Sequence, residues 1–136
     1  NFLLILGWAN YVPLEYNFEN YKNKLIILPQ EDIAEIYSYT KLLLFPSQWE
    51  EALGRVQIEA AFNNIPMIGS NIGGIAECFK GNGILVDPIN DIEKWQAALI
   101  KMDDPLFYQK CVKNCNKLKK YSAKEEYEKL IKLLNN

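Results

Sequence analysis

Five short apolar runs punctuate the chain: FLLIL at 2–6, LIIL at 25–28, LLLF at 42–45, PMIG at 66–69 and GILV at 83–86. None alternates apolar with polar residues, as a strand with one wet face would. They suit strands covered on both faces, and so predict a parallel sheet with helices above and below. The segments between them have helical character. Residues 31–39 open with acids, and 54–62 are closed by Asn63 and Asn64. Residues 73–79 begin at a glycine pair, and a longer helix from Asp91 sets Ile92, Trp95, Ala98 and Leu99 at helical spacing. Asp87, Pro88, Asn90 and Asp91 supply the turn and cap chemistry before it. From about Pro105 the tail is helical and rich in lysine, with Tyr121–Ser122 expected to divide two helices. Strands alternating with helices in this way predict an α/β fold, a Rossmann-like doubly wound parallel sheet with helices on both faces. No internal repeat, low-complexity tract or linker interrupts it, so residues 1–136 read as one domain or part of one.

Composition narrows the function. A chain of 136 residues can bury a single core. Fifteen basic against 17 acidic residues give a formal charge of -2, which offers no electrostatic footprint for nucleic acid. No apolar run approaches the roughly 20 residues that span a bilayer. Lysines 113, 117, 119, 120 and 124 read as solvated helix faces. Contact with an anionic membrane surface is the weaker reading, because Glu125, Glu126 and Glu128 dilute the patch. Three cysteines and no histidine give neither a disulfide framework nor a zinc site. The thiols are expected to be packed and reduced in a cytoplasmic protein. Acid, base and charge-stabilising roles fall to carboxylates, Lys, Arg, Tyr or backbone amides. The chain starts at Asn1 and reads as a strand from Phe2, so it is expected to begin inside a larger protein.

The stretch PSQWEEALGRVQIEA, Pro46 to Ala60, leaves the run LLLF and leads into a helix. In open parallel sheets, ligands bind outside the carboxyl ends of the strands. Pro46 ends the strand, and Gly54 lets the backbone approach a ligand. The unpaired amides of residues 53–56 form a site for anions such as phosphate. Glu59 is the only charge beyond the first turn of a helix whose other residues are mostly apolar. A carboxylate there needs partners. Two are open: the hydroxyl pair of a ribose, or Arg55 one turn earlier with solvent beyond. Glu51, eight residues before Glu59, is by itself a loop acid that complements the helix dipole.

The ordered set FPSQWEEALGRVQIEAAFNNIPMIGSNIGGIAE…GILVDP resembles the donor-binding domain of retaining GT-B glycosyltransferases, glycosyltransferase group 1. That family carries a strand ending in Pro-Ser, a Glu-x7-Glu motif with an internal glycine, and a small-residue helix. A strand, a Gly-Gly-x-x-Glu turn and a Gly-x-Leu-Val-x-Pro strand follow. The match is strong over about residues 24–100 and loose elsewhere. The resemblance implies that this is the C-terminal, nucleotide-sugar-binding half of a GT-B fold, with the acceptor-binding domain and two phosphate-holding cations lying upstream of Asn1.

By the resemblance, Glu51 is the catalytic residue, contacting hydroxyls of the transferred sugar, and Glu59 holds the ribose. Leu53, Gly54, Arg55 and Val56 present amides to sugar and phosphate, and Pro29 and Gln30 border the base. Ala52 stands where glycine is frequent and Leu53 where an aromatic is common. No Asp-x-Asp occurs, and the resemblance implies no metal and no cofactor beyond the nucleotide-diphosphate sugar itself. The complete enzyme would pass a hexose-type sugar to an acceptor hydroxyl with retention, while this chain alone would be inactive. A nucleotide-sugar epimerase on the same fold, or a non-catalytic nucleotide-sugar-binding module, are the alternatives. Gly73-Gly74 reads as a turn opening a helix, Glu77 as a first-turn charge, and Trp49 as packed under the motif or flanking the donor.

Overall fold

The computed structural model describes residues 3–6, 25–28, 33–119 and 123–134. The chain divides into two compact units, Asn1–Ile36 and Tyr37–Asn136. In the first, β1 (Leu3–Leu6) and β2 (Leu25–Leu28) pair in parallel, Leu3 opposite Leu25 and Leu6 opposite Leu28. Helix α1 (Ile33–Tyr39) follows and contributes Tyr37 to the second unit.

The second unit holds a parallel sheet in the order β3-β4-β5, formed by Leu43–Phe45, Met67–Ser70 and Gly83–Val86. All four residues of the central strand β4 are buried, as expected of a strand with neighbours on both edges and helices on both faces. It begins one residue later than the sequence suggests. Pro66 has no N–H to donate to a ladder, although its carbonyl accepts from Leu43 N at 3.0 Å. Gly83 lies opposite Met67, where a Cβ would stand 1.7 Å from the Met67 carbonyl oxygen. Only glycine permits that approach.

The row Leu44–Ile68–Ile84 points to one side of the sheet. There Ile68 and Val86 bury against Ala98 and Met102 of α4 (Ile92–Met102) and Cys111 of α5 (Pro105–Cys115). Gly69 faces the other side, with Ile75 of α3 (Gly73–Cys78) 3.3 Å from the position a Cβ would take. The helix α2 (Arg55–Phe62) buries Gln57, Ala60 and Ala61, and Ala61 and Ile58 join Cys115 and Leu118 in a second cluster. Helices therefore cover both faces, the doubly wound arrangement predicted above.

Caps set the helix starts. The Asp91 side chain accepts from Lys94 N, and Asp104 accepts from Leu106 N and Phe107 N with Pro105 at the first helical position. Asn64, at φ 61°, takes the left-handed turn that closes α2. Helix α4 carries Ile92, Trp95, Ala98 and Leu99 as expected, but Ile92 and Leu99 are exposed while Trp95, Ala98 and Met102 turn into the core. One sequence expectation needs correction. Glu77 lies near the end of α3, on its exposed side, and not in a first turn. The predicted divide at Tyr121–Ser122 lies outside the described residues; α6 (Ala123–Leu134) begins just after it. The three cysteines are buried and unbridged, and burial pushes their thiols up, that of Cys115 to about 11. Among the described residues no helix is long and apolar enough to cross a membrane.

Candidate functional site

At the carboxyl end of β3 the chain makes a tight turn through Ser47, Trp49 and Glu51. Glu51 N donates to the Trp49 carbonyl at 2.9 Å. The Ser47 hydroxyl donates to Glu51 Oε1 at 3.3 Å and accepts from Trp49 N at 3.3 Å. Glu51 is half-buried, one carboxylate oxygen held by serine. Trp49, by contrast, is 82% exposed. It is not packed under the motif, because the turn projects it outward.

Gly54 then takes φ 65° and ψ 53° and starts α2, standing just before the helix as its cap. A residue other than glycine would be strained in that left-handed conformation. The packing around it adds a second requirement to the one read in the sequence. Gly54 is buried, and an added Cβ would meet Gln57 Nε2 at 2.8 Å and Ile75 Cγ1 at 3.2 Å. The glycine is thus needed by the protein's own packing behind the loop. Gln57 N closes the first bond onto the Gly54 carbonyl at 3.1 Å, and among the described residues no side chain caps this helix start. The amides of Gly54, Arg55 and Val56 precede that bond, and Leu53, Arg55 and Val56 lie at the exposed rim.

Glu59 lies on the open side of α2, opposite the buried stripe of Gln57, Ala60 and Ala61. The apolar surroundings expected from the sequence are therefore not what it meets. Its side chain keeps 35% of its surface accessible. Oε1 accepts from Arg55 at 3.4 Å and Oε2 from the Tyr37 hydroxyl at 3.1 Å. Burial first, and then the bond to and charge of Glu59, push the Tyr37 phenol up to about 12. Tyr37 accordingly stays a donor to Glu59 at any physiological pH.

Tyr37 and Gln57 are the site residues that sequence reading missed. Gln57 had a signal: it shares a helical stripe with Ala60 and Ala61, a buried face on which a polar residue needs a reason. Tyr37 had none, since 22 residues separate it from Glu59. Pro29 and Gln30 lie outside the described residues. Among the described residues, no group of three or more His, Cys, Asp and Glu side chains is placed to hold a metal ion.

Beside this loop, at the carboxyl ends of all three strands, lies an open cleft of about 470 Å³. Gln48, Asn71, Ile72, Asp87 and Pro88 are among the residues that line it; neither Glu51 nor Glu59 does. Asn71 Nδ2 donates to Asp87 at 3.5 Å, and Lys94 Nζ donates to the Asp87 carbonyl.

The sequence model of the family described as "Glycosyl transferases group 1" matches residues 2–133. Spore coat protein SA of Bacillus subtilis (strain 168) is 32% identical over 97 residues, which cover 70% of this chain and 24% of that protein. Among solved structures, HepE of Anabaena in complex with UDP-glucose aligns with a TM-score of 0.73 at 20% identity. The alignment covers 97% of this chain and 40% of HepE. Sucrose-phosphate synthase of Thermosynechococcus elongatus aligns with a TM-score of 0.69 at 23% identity, over 85% of this chain and 32% of that one. At these identities the structural likeness is one of fold. The curated relatives are each matched over a quarter of their length or less.

Proposed function

The chain belongs to the glycosyl transferases group 1 family, and from that premise we propose that it holds the nucleotide-diphosphate sugar from which a complete GT-B enzyme transfers a hexose, with retention, to an acceptor hydroxyl. One observation carries the reading. The turn after β3 sets the Glu51 carboxylate, the left-handed Gly54 and the uncapped amides of Arg55 and Val56 in one short span at the ligand-binding end of the sheet. A carboxylate suits sugar hydroxyls, and helix-start amides suit phosphate.

In this reading Glu51 orients the sugar. The amides of Leu53 to Val56 meet sugar and diphosphate, Leu53 on the sugar side, and with cationic side chains they stabilise the charge of the leaving group. Glu59 accepts from the ribose hydroxyls, Tyr37 and Arg55 having already fixed its carboxylate. Each of its oxygens retains a further lone pair for a hydroxyl. Pro29 and Gln30 are assigned to the base on the resemblance alone. No divalent ion takes part, so chelation should leave donor affinity unchanged. A structure of the same fold supports the donor class of this reading: HepE was solved with UDP-glucose.

Thermal-shift measurement on the intact protein with a panel of nucleotide sugars tests it. A true donor at a hundred times its Kd should stabilise the fold by about 2.7 kcal/mol. A panel in which nothing shifts the transition would refute the proposal.

A further inference from the structure

Gln57 has no solvent exposure, yet it carries a polar amide in the helix that opens the donor loop. Its Nε2 donates to the carbonyls of Ile75 at 3.2 Å and Gly74 at 3.4 Å, tying α2 to the start of α3. Among the described residues its Oε1 is buried without a hydrogen-bond partner. An apolar residue of like length would fill the space without that penalty, so the side chain is explained by what its N–H groups hold.

What they hold is the back of the Glu51 loop. Gly74 N donates to the Glu51 carbonyl at 2.6 Å. A Cβ on Gly74 would stand 2.5 Å from the Ala52 carbonyl carbon and oxygen and 2.6 Å from Leu53 N. A Cβ on Gly73, at φ 47°, would come 2.9 Å from the Glu51 oxygen. The loop from residue 50 to 53 therefore lies directly on a glycine floor, backbone against backbone. Gln57 fixes that floor from beneath. The glycine pair is more than a turn opening α3.

We propose that Gln57 is a positioning residue: acting through Gly73-Gly74, it sets the height and orientation of the loop that presents Glu51 and the Leu53 amide to the transferred sugar. The part of this assignment that concerns sugar rests on the donor reading above; the buttress itself does not. Glu59 lies on the opposite side of α2, and α2 is anchored separately by Ala60 and Ala61 in the core. The two handles are thus supported independently, and loosening one leaves the other in place.

Two variants of the intact protein separate these claims. Gln57→Met keeps the volume and removes the two donated bonds; Gly74→Ala pushes a methyl into the Ala52 carbonyl. Hydrogen exchange without ligand comes first. In Gln57→Met, the hydrogen-bonded amides of Glu51 and Gly74, which tie the loop to its floor, should exchange about tenfold faster, while those of β4 and α4 keep wild-type rates. Uniform acceleration, or none in the loop, would overturn the buttress whether or not the protein binds a donor. The second arm titrates UDP-glucose and UDP. Both variants should lose roughly tenfold in affinity for UDP-glucose and less than about twofold for UDP. Equal losses would show that Gln57 steadies α2 as a whole and would sink the positioning role. If wild type binds neither probe, the donor reading fails for these ligands, and the exchange arm still decides the buttress.

Discussion

At the level of single residues, the two glutamates of the Glu-x7-Glu pair are held in different ways. Glu51 has one serine hydroxyl on one oxygen, whereas Glu59 has a guanidinium on one and a phenol on the other. A pre-oriented carboxylate gains more from a ligand hydroxyl than one that must first be ordered. In the intact protein, Glu59→Gln should therefore weaken free nucleoside diphosphate by about 1.5–3 kcal/mol, roughly tenfold to a hundredfold. Glu51→Gln, whose assigned partner is the sugar, should change it little. Calorimetry with UDP reads the difference, and equal losses would argue against the division of roles. The spacing of these acids was legible in the chain; their surroundings were not. A carboxylate among apolar letters suggested burial, but α2 has a single buried stripe, and Glu59 falls outside it beside exposed Val56 and Phe62. Tyr37, which holds it, comes from another helix and could not be reached by periodicity.

At the level of elements, the strands were the easiest to read, because a strand covered on both faces leaves an uninterrupted apolar run. Helix faces were harder: Ile92 continues an apolar periodicity that the packing does not use. The start of α4 was read from its cap chemistry at Asp91, whereas the cap of α5, Asp104, was not read, and it has a pH signature. Asp104 accepts from Leu106 N at 2.9 Å and Phe107 N at 3.3 Å, and these amides hold its carboxyl below the usual carboxylate range. Because the folded value lies below the unfolded one, the charged cap contributes stability above the unfolded pKa. That contribution fades as pH falls through the folded value. Asn at this position can still accept from the helix but carries no charge to lose. Asp104→Asn should thus be slightly less stable than wild type at neutral pH and should lose less on acidification below about pH 4. Melting temperature against pH for the two proteins checks it, and parallel curves would exclude a titrating cap.

At the level of the whole molecule, nearly all of this chain superposes on HepE, yet it accounts for only 40% of that structure. Apart from the two phosphate-holding cations that the resemblance implies, every residue assigned to the donor lies within the chain, and none has been assigned to an acceptor. Sugar transfer requires both. The acceptor hydroxyl must be held about 3–3.5 Å from the reacting carbon, and that positioning can supply roughly 7–11 kcal/mol of the lowering of the barrier. Binding of the donor draws first on the loop, α2 and the residues that steady them, with the implied phosphate-holding cations adding affinity for the diphosphate. The 136-residue chain on its own should therefore bind UDP, if it folds alone, and transfer no sugar, whereas the intact protein should do both. Circular dichroism and a UDP titration establish the first half. UDP release from UDP-glucose, followed over hours in the presence of candidate acceptors, tests the second. Turnover by the chain alone at a rate near that of the intact protein would mean that the acceptor site lies within these residues, and the division of labour proposed for the complete enzyme would have to be abandoned.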